Sequence, residues 1–166
     1  AAVLKPDDSE VFYNLGLAEQ QRGQLDNALL AFEKALTLKP DFVDAANNLG
    51  NVLREMGRFE PAAEAYRRAA ELEPNRADIH CNCGNVQMKL GEYDNAHHSL
   101  EKALELDPRL VDAHFAFGRL NFTTNKLEAA AESYRQAISC APEDIRCHME
   151  LGTVLLELGQ IDEARD

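Results

Sequence analysis

With 166 residues, 45% of them hydrophobic and 28% charged, the chain has the composition of a folded domain and not of a disordered tail. Its longest apolar runs, such as Val154-Leu155-Leu156, fall far short of the ~20 residues that cross a bilayer. Acidic residues outnumber basic ones 29 to 17, a formal net charge of −12 that repels nucleic acid and anionic membrane surfaces; it fits basic peptides or mixed protein surfaces better, and equally serves solubility alone.

In chain order, residues 1–8 read as the tail of a helix, Ala1 matching Ala35 and Leu4 matching Leu38. A complete unit follows over 9–42. Its first helix runs from about Glu10 to Arg22, with Val11, Leu15 and Ala18 at helical spacing, and Gly23 ends it. Its second helix starts at Asp26, where a carboxylate either caps the helix or complements its dipole, and stops at Pro40. The same plan recurs over 43–76, 77–110 and 111–144, with Gly57, Gly91 and Asn125 ending the first helices. Glu60, Asp94 and Glu128 start the second helices, and Pro74, Pro108 and Pro142 stop them. Residues 145–166 open a fifth unit, with Gly159 and Asp162 in phase, and end partway along its second helix.

The period of 34 shows in four columns: the prolines, Gly16/Gly50/Gly84/Gly118/Gly152, Ala28/Ala62/Ala96/Ala130/Ala164, and the large apolar set Phe32/Tyr66/Leu100/Tyr134. Small residues such as Gly50 and Ala62 let paired helices approach closely, while Leu49, Phe59 and Tyr66 fill the space between neighbours. One hairpin cannot bury its apolar face alone. The expected fold is therefore all-α, a right-handed α-solenoid of antiparallel helix pairs forming a single array over 1–166. The face carrying Leu151, Val154, Leu155, Leu156 and Leu158 lacks the polarity of a terminal cap. We expect a segment of a longer array, with weak end-to-end self-association.

The pattern Leu49-Gly50, Ala62, Tyr66, Ala69 and Pro74 resembles the tetratricopeptide repeat, and the likeness covers the whole chain. Phe12, Ala46, His80, His114 and His148 replace that family's large aromatic near the start of the first helix. The resemblance implies an interaction scaffold whose first helices line a concave wall.

Chemistry is sparse. His80, His114 and His148 share one repeat position, so their spacing reflects repeat geometry and packing more than a metal cluster; His97 and His98 are adjacent on a second helix. Cys81 and Cys83 point to nearly opposite sides of a helix, and Cys83 falls in the core column of Leu15 and Leu49. Cys140 and Cys147 flank the turn at Pro142, where a bridge is conceivable; four cysteines are too few for a disulfide scaffold and suit a reducing, intracellular location. No phosphate-cradling glycine cluster, GxSxG or HExxH pattern occurs, so we expect neither cofactor, metal nor active site in the segment.

By the same resemblance, positions 2, 5, 6, 9, 12 and 13 of each unit face inward. They hold Asn47 at position 5, Asn14, Asn48 and Asn82 at position 6, and Asn51, Asn85 and Arg119 at position 9. An asparagine both donates and accepts, which suits the main chain of an extended peptide; the column can equally link neighbouring first helices. Asn48-Leu49-Gly50-Asn51 is similar to the repeat region of O-linked N-acetylglucosamine transferases, where such amides hold substrate peptide; Ala116 and Glu150 end the column. The clamp by which other members hold an acidic C-terminus is disfavoured. Asn51 and Asn82 match its amides, but Asn47, Asp112 and Ala116 stand where cations are required, and the other register meets Tyr13, Leu17 and Asp78. Phe115 and Phe122, with Met88 and Met149 on adjacent repeats, form either an apolar pocket or core. The leading expectation is a scaffold binding a protein or peptide, with basic side chains as one option. A substrate-selecting arm of a larger enzyme such as a glycosyltransferase, or a self-assembling scaffold, is the alternative.

Overall fold

The computed structural model describes residues 8–159. The expected tail over residues 1–7 and the second helix of the fifth repeat, with Asp162 and Ala164, lie outside that range. The described residues divide into two compact units, the first ending at Asn75 and the second starting at Arg76, a boundary that coincides with the junction of the second and third repeats to within one residue. The first unit holds α1 (Ser9–Gln21), α2 (Leu25–Leu38), α3 (Val43–Glu55) and α4 (Phe59–Leu72). The second holds α5 (Ala77–Lys89), α6 (Tyr93–Leu106), α7 (Val111–Thr123), α8 (Leu127–Cys140) and α9 (Ile145–Glu157). Within the first, α1 packs on α2 and α3 on α4, and α2 joins the two pairs by packing on α3; within the second, α5–α6 and α7–α8 are the pairs, α6 meets α7 and α8 meets α9. This is the all-α, helix-pair architecture of an α-solenoid. No helix among the described residues is long and apolar enough to cross a membrane.

The helix ends follow local chemistry. Gly57 adopts φ 73° after α3, and Asn125 adopts φ 58° at the corresponding place after α7, the left-handed conformation that closes a helix C-terminus. The second helices start one residue before the acidic column, at Leu25, Phe59, Tyr93 and Leu127, and none has a side-chain cap hydrogen bond. Asp26, Glu60, Asp94 and Glu128 therefore act on the helix dipole from the first turn and not as caps. Side-chain caps occur instead on α1 and α9, where Asp8 and Asp144 accept from the backbone N–H groups of Glu10 and Arg146. The repeating histidines serve the turns: His114 Nε2 lies 2.9 Å from the Pro108 carbonyl and His148 Nε2 lies 2.7 Å from that of Pro142. Each contact requires the tautomer or cation that carries hydrogen on Nε2. All four cysteines are free thiols, with Cys81, Cys83 and Cys147 buried, so Cys140 and Cys147 form no bridge.

The glycine and large-residue columns are one contact. A Cβ on Gly50 would sit 2.6 Å from the Tyr66 ring, one on Gly16 2.6 Å from Phe32, and one on Gly84 2.7 Å from Leu100. Gly118 meets Tyr134 in the same way. The sequence reading pairs Gly50 with Ala62 at the helix crossing; the structure makes Tyr66 its neighbour, with Ala62 fully buried alongside. Phe32, Tyr66, Leu100 and Tyr134 all have zero exposure, so each hairpin is closed by one large side chain laid over a bare backbone.

Helix propensity and packing therefore oppose each other at Gly50. Alanine is the better helix former by about 1 kcal/mol, but overpacking a tight crossing costs about 1–3 kcal/mol. Gly50→Ala should lower the urea midpoint of unfolding. A raised midpoint would show that the Tyr66 ring can yield.

Candidate functional site

The first-helix positions singled out in the sequence resolve into a different arrangement in each unit. In the first unit, α1 and α3 carry a continuous chain of hydrogen bonds. Asn48 Nδ2 donates to Tyr13 Oη at 3.1 Å and to the Asp44 carbonyl at 3.0 Å, which ties α3 to α1. Asn51 Nδ2 donates to Asn48 Oδ1 at 3.2 Å. Tyr66, reaching across from α4, donates from its hydroxyl to Asn51 Oδ1 at 2.8 Å and accepts from Arg54 Nε at 3.3 Å. Tyr13 itself packs against Phe42 and Phe32, with ring centroids 4.9 and 5.9 Å apart. Asn48 and Asn51 are half-buried, Asn47 is buried and Asn14 is exposed. The amides at 48 and 51 thus link first helices and fix two tyrosines, and both amide hydrogens of Asn48 are committed within the protein.

In the second unit the amides thin out and aromatic and charged groups take over. Asn85 Nδ2 returns to the Cys81 carbonyl at 3.1 Å on its own helix, and Asn82 is half-buried. Phe115 and Phe122 are half-buried and pack on the core of Ala130, Ala131, Tyr134 and Val154. Both aromatics thus pack as part of the core. Phe115 meets the Tyr134 ring edge-on at 5.7 Å, and the Arg146 guanidinium lies 5.1 Å from the Phe115 ring. Met149 is 68% exposed, whereas Met88 packs against the cluster around Leu100 and Leu120. Arg119 is half-buried on α7.

Two features escaped the sequence reading. The first is that the column read as large and apolar carries hydroxyls at Tyr66 and Tyr134, which lie behind the first-helix face. Tyr66 finds Asn51 and Arg54; the residues 68 positions later are Arg119 and Phe122, and the Tyr134 hydroxyl is buried without a hydrogen-bond partner. Burial, with Glu150 nearby, pushes the Tyr134 phenol well above its usual value, against the opposing charge of Arg119. Comparing positions 9 and 12 with the tyrosine column would have exposed this difference. The second is Arg146, which breaks the acidic series Glu10, Asp44, Asp78 and Asp112 at position 2. Its Nη2 bridges Asp112 at 3.1 Å and Asp144 at 2.7 Å, and its hydrogen bonds hold the Asp144 carboxyl below the ordinary range.

Position 2 is electrostatically uneven for a related reason. Arg76 donates from Nε to Asp78 Oδ1 at 2.8 Å and from Nη2 to Asp78 Oδ2 at 2.7 Å, a forked pair that lowers the Asp78 pKa. No group of three or more potential metal ligands forms among the described residues.

Models of the family match most of the chain: the tetratricopeptide repeat over residues 9–42, 83–145 and 133–166, and the TPR repeat over residues 50–91. Among curated protein sequences, none matches this chain. Solved structures share the fold. MamA from Desulfovibrio magneticus RS-1, residues 41 to the end, is 20% identical with a TM-score of 0.82, covering 98% of this chain and 92% of that one. Pseudomonas aeruginosa pilF is 23% identical with a TM-score of 0.85, over 95% and 72% of the two chains. YrrB, described as a TPR protein with an unusual peptide-binding site, is 22% identical with a TM-score of 0.72, over 95% and 81%.

Two outcomes test the site's energetics. Tyr66→Phe removes two hydrogen bonds and should cost about 1–2 kcal/mol in thermal or urea unfolding, whereas Tyr134→Phe deletes an unpartnered hydroxyl and should leave stability unchanged or higher. The lowered Asp78 pKa contributes stability that is complete above the unfolded value near 4 and is lost as pH falls through the lower folded value. Asp78→Asn should therefore flatten the fall of stability with acid below about pH 4, read from melts at stepped pH.

Proposed function

Because this chain belongs to the tetratricopeptide repeat family, we propose that it is a protein-interaction scaffold that binds an extended peptide segment along the first-helix face of its repeats. The observation that carries this reading is the network Tyr13–Asn48–Asn51–Tyr66–Arg54, part-exposed on that face and held in place by its own hydrogen bonds. A surface fixed before the ligand arrives spends little ordering entropy on binding. Repeat proteins use faces of this kind for extended ligands, and the peptide-binding site described for the YrrB neighbour supports the same use.

The likeness of the asparagine column to the repeats of O-linked N-acetylglucosamine transferases supports a grip on main chain, but the division of labour among the amides is specific to this chain. Asn48 and Asn51 work from behind, orienting the tyrosines and Arg54. Asn14, exposed on α1, and Asn85, whose amide nitrogen bonds only within its own helix, are the amides that reach a ligand. Asn47 and Asn82 support them, and Phe115, Arg119 and Phe122 take side chains. The acidic balance of the chain favours basic side chains in the ligand and faster association at low salt. The reading requires no cofactor.

A peptide array probed with the protein supplies a ligand, and calorimetry then compares variants on it. Asn14→Ala/Asn85→Ala should weaken binding by about 1–3 kcal/mol in total, at roughly 0.5–1.5 per hydrogen bond, with the melting temperature unchanged or raised. Lys34→Ala/Lys102→Ala, on second helices, should bind like the parent. Equal affinity for both double variants would remove the amides as the recognition surface. Asn48→Ala, by contrast, should melt early because it cuts the tie between α1 and α3.

A further inference from the structure

We propose that the fourth repeat holds a subsite for one apolar residue of an extended segment, whose main-chain carbonyl accepts the hydrogen of the Tyr134 hydroxyl while Phe115, Phe122 and Met149 enclose its side chain. The inference rests on the peptide-binding reading above and assigns one point of the ligand to one place in the second unit.

Three observations converge there. The Tyr134 side chain has zero exposure, and its hydroxyl is buried without a partner. The hydroxyl of Tyr66, built into its hairpin through the same glycine contact, is saturated by Asn51 and Arg54 on α3. At the matching places on α7 stand Arg119 and Phe122, neither bonded to Tyr134, so the hydroxyl lies buried behind α7 with its hydrogen unused. The loss of the two polar partners coincides with a gain of apolar ones. Phe115 packs on the Tyr134 ring, Phe122 joins the same cluster, and Met149 stands exposed at the Phe115 position of the next repeat.

The charges nearby fit a peptide unit better than an ion. Glu150 and Arg119 act on the phenol electrostatically with opposite signs, and Arg146 is already occupied by Asp112 and Asp144. A free carboxylate would meet Glu150, whereas a peptide group offers its carbonyl to Tyr134 and Arg119 and its N–H to Glu150. The α7 side chains at the site, Phe115, Arg119 and Phe122, are half-buried.

The experiment uses the capped pentapeptide Ac-Ala-Ala-Leu-Ala-Ala-NH2 and its all-alanine counterpart, titrated into protein with isotope-labelled methionine methyl groups. The three methionines report separately: Met56 in the first unit, Met88 on α5 and Met149 on α9. The leucine peptide should shift the Met149 methyl saturably and bind tighter than the all-alanine peptide. Tyr134→Phe should weaken it about 2- to 12-fold, the ratio expected for one net hydrogen bond, without lowering the melting temperature. Arg119→Asn/Phe122→Arg, which gives Tyr134 the partners of Tyr66, should raise the melting temperature and abolish the Met149 shift. Unchanged affinity in Tyr134→Phe, or a Met149 shift that survives the double variant, overturns the subsite. Shifts confined to Met56 or Met88 overturn it while leaving a peptide on the first-helix face. Silence of all three methyls, together with an array that yields no binder, overturns both.

Discussion

Everything in each hairpin depends on one contact, a large side chain from the second helix laid flat on a glycine of the first. The separations that a Cβ would have, 2.6 Å at both Gly16 and Gly50 and 2.7 Å at Gly84, leave no room for even a methyl group. That closeness sets how far the helices stand apart and so what the alanines at 28, 62, 96 and 130 can fill, all four with zero exposure. It also fixes where the tip of the large side chain emerges. A phenylalanine or leucine ends in apolar core, while a tyrosine brings a buried hydroxyl that Asn51 and Arg54 answer at Tyr66 and that has no partner at Tyr134. Fold and site are thus joined through one residue position.

Most of the architecture is written in the 34-residue columns, because each column marks a steric requirement that recurs in every unit. Glycine at 57 and asparagine at 125 share a left-handed backbone, and reading them as equivalent helix ends needs only that property. The acidic starts of the second helices were less legible. A carboxylate at Asp26 or Glu60 suits a cap and a first-turn position equally, and a shift of one residue decides between them. The tyrosine column hides a polar group for a physical reason: at Tyr66 and Tyr134 ring and oxygen are both buried, and an apolar column does not show that the oxygen needs a partner.

The candidate site was legible as a set of positions and not as a set of roles. Positions 5, 6, 9 and 12 of the first helices do carry the polar and aromatic groups, but an asparagine's identity does not reveal which of its four hydrogen-bonding sites are already taken. At Asn48 both amide hydrogens are spent on Tyr13 and Asp44; at Asn85 one nitrogen bond returns to its own helix. Partners of that kind come from residues 4 to 35 positions away, and the pairing of Asn48 with Tyr13 depends on how α1 lies against α3. Arg146 was similarly hidden. Its contacts with Asp112, Asp144 and Phe115 matter through geometry, whereas in the sequence it is one cation among 17 basic residues.

The separation between the closing contact and the residues that answer the tyrosine hydroxyl has an evolutionary consequence. Gly50 with Tyr66 and Gly118 with Tyr134 are the same contact, yet Asn51 and Arg54 seal one hydroxyl while Arg119 and Phe122 leave the other without a partner. Two first-helix positions can therefore change whether that hydroxyl is answered while the helix crossing beneath stays the same. A lineage that duplicates such a unit inherits a finished frame with two replaceable positions, and each copy can change the polarity behind its first helix without first surviving a loss of its fold.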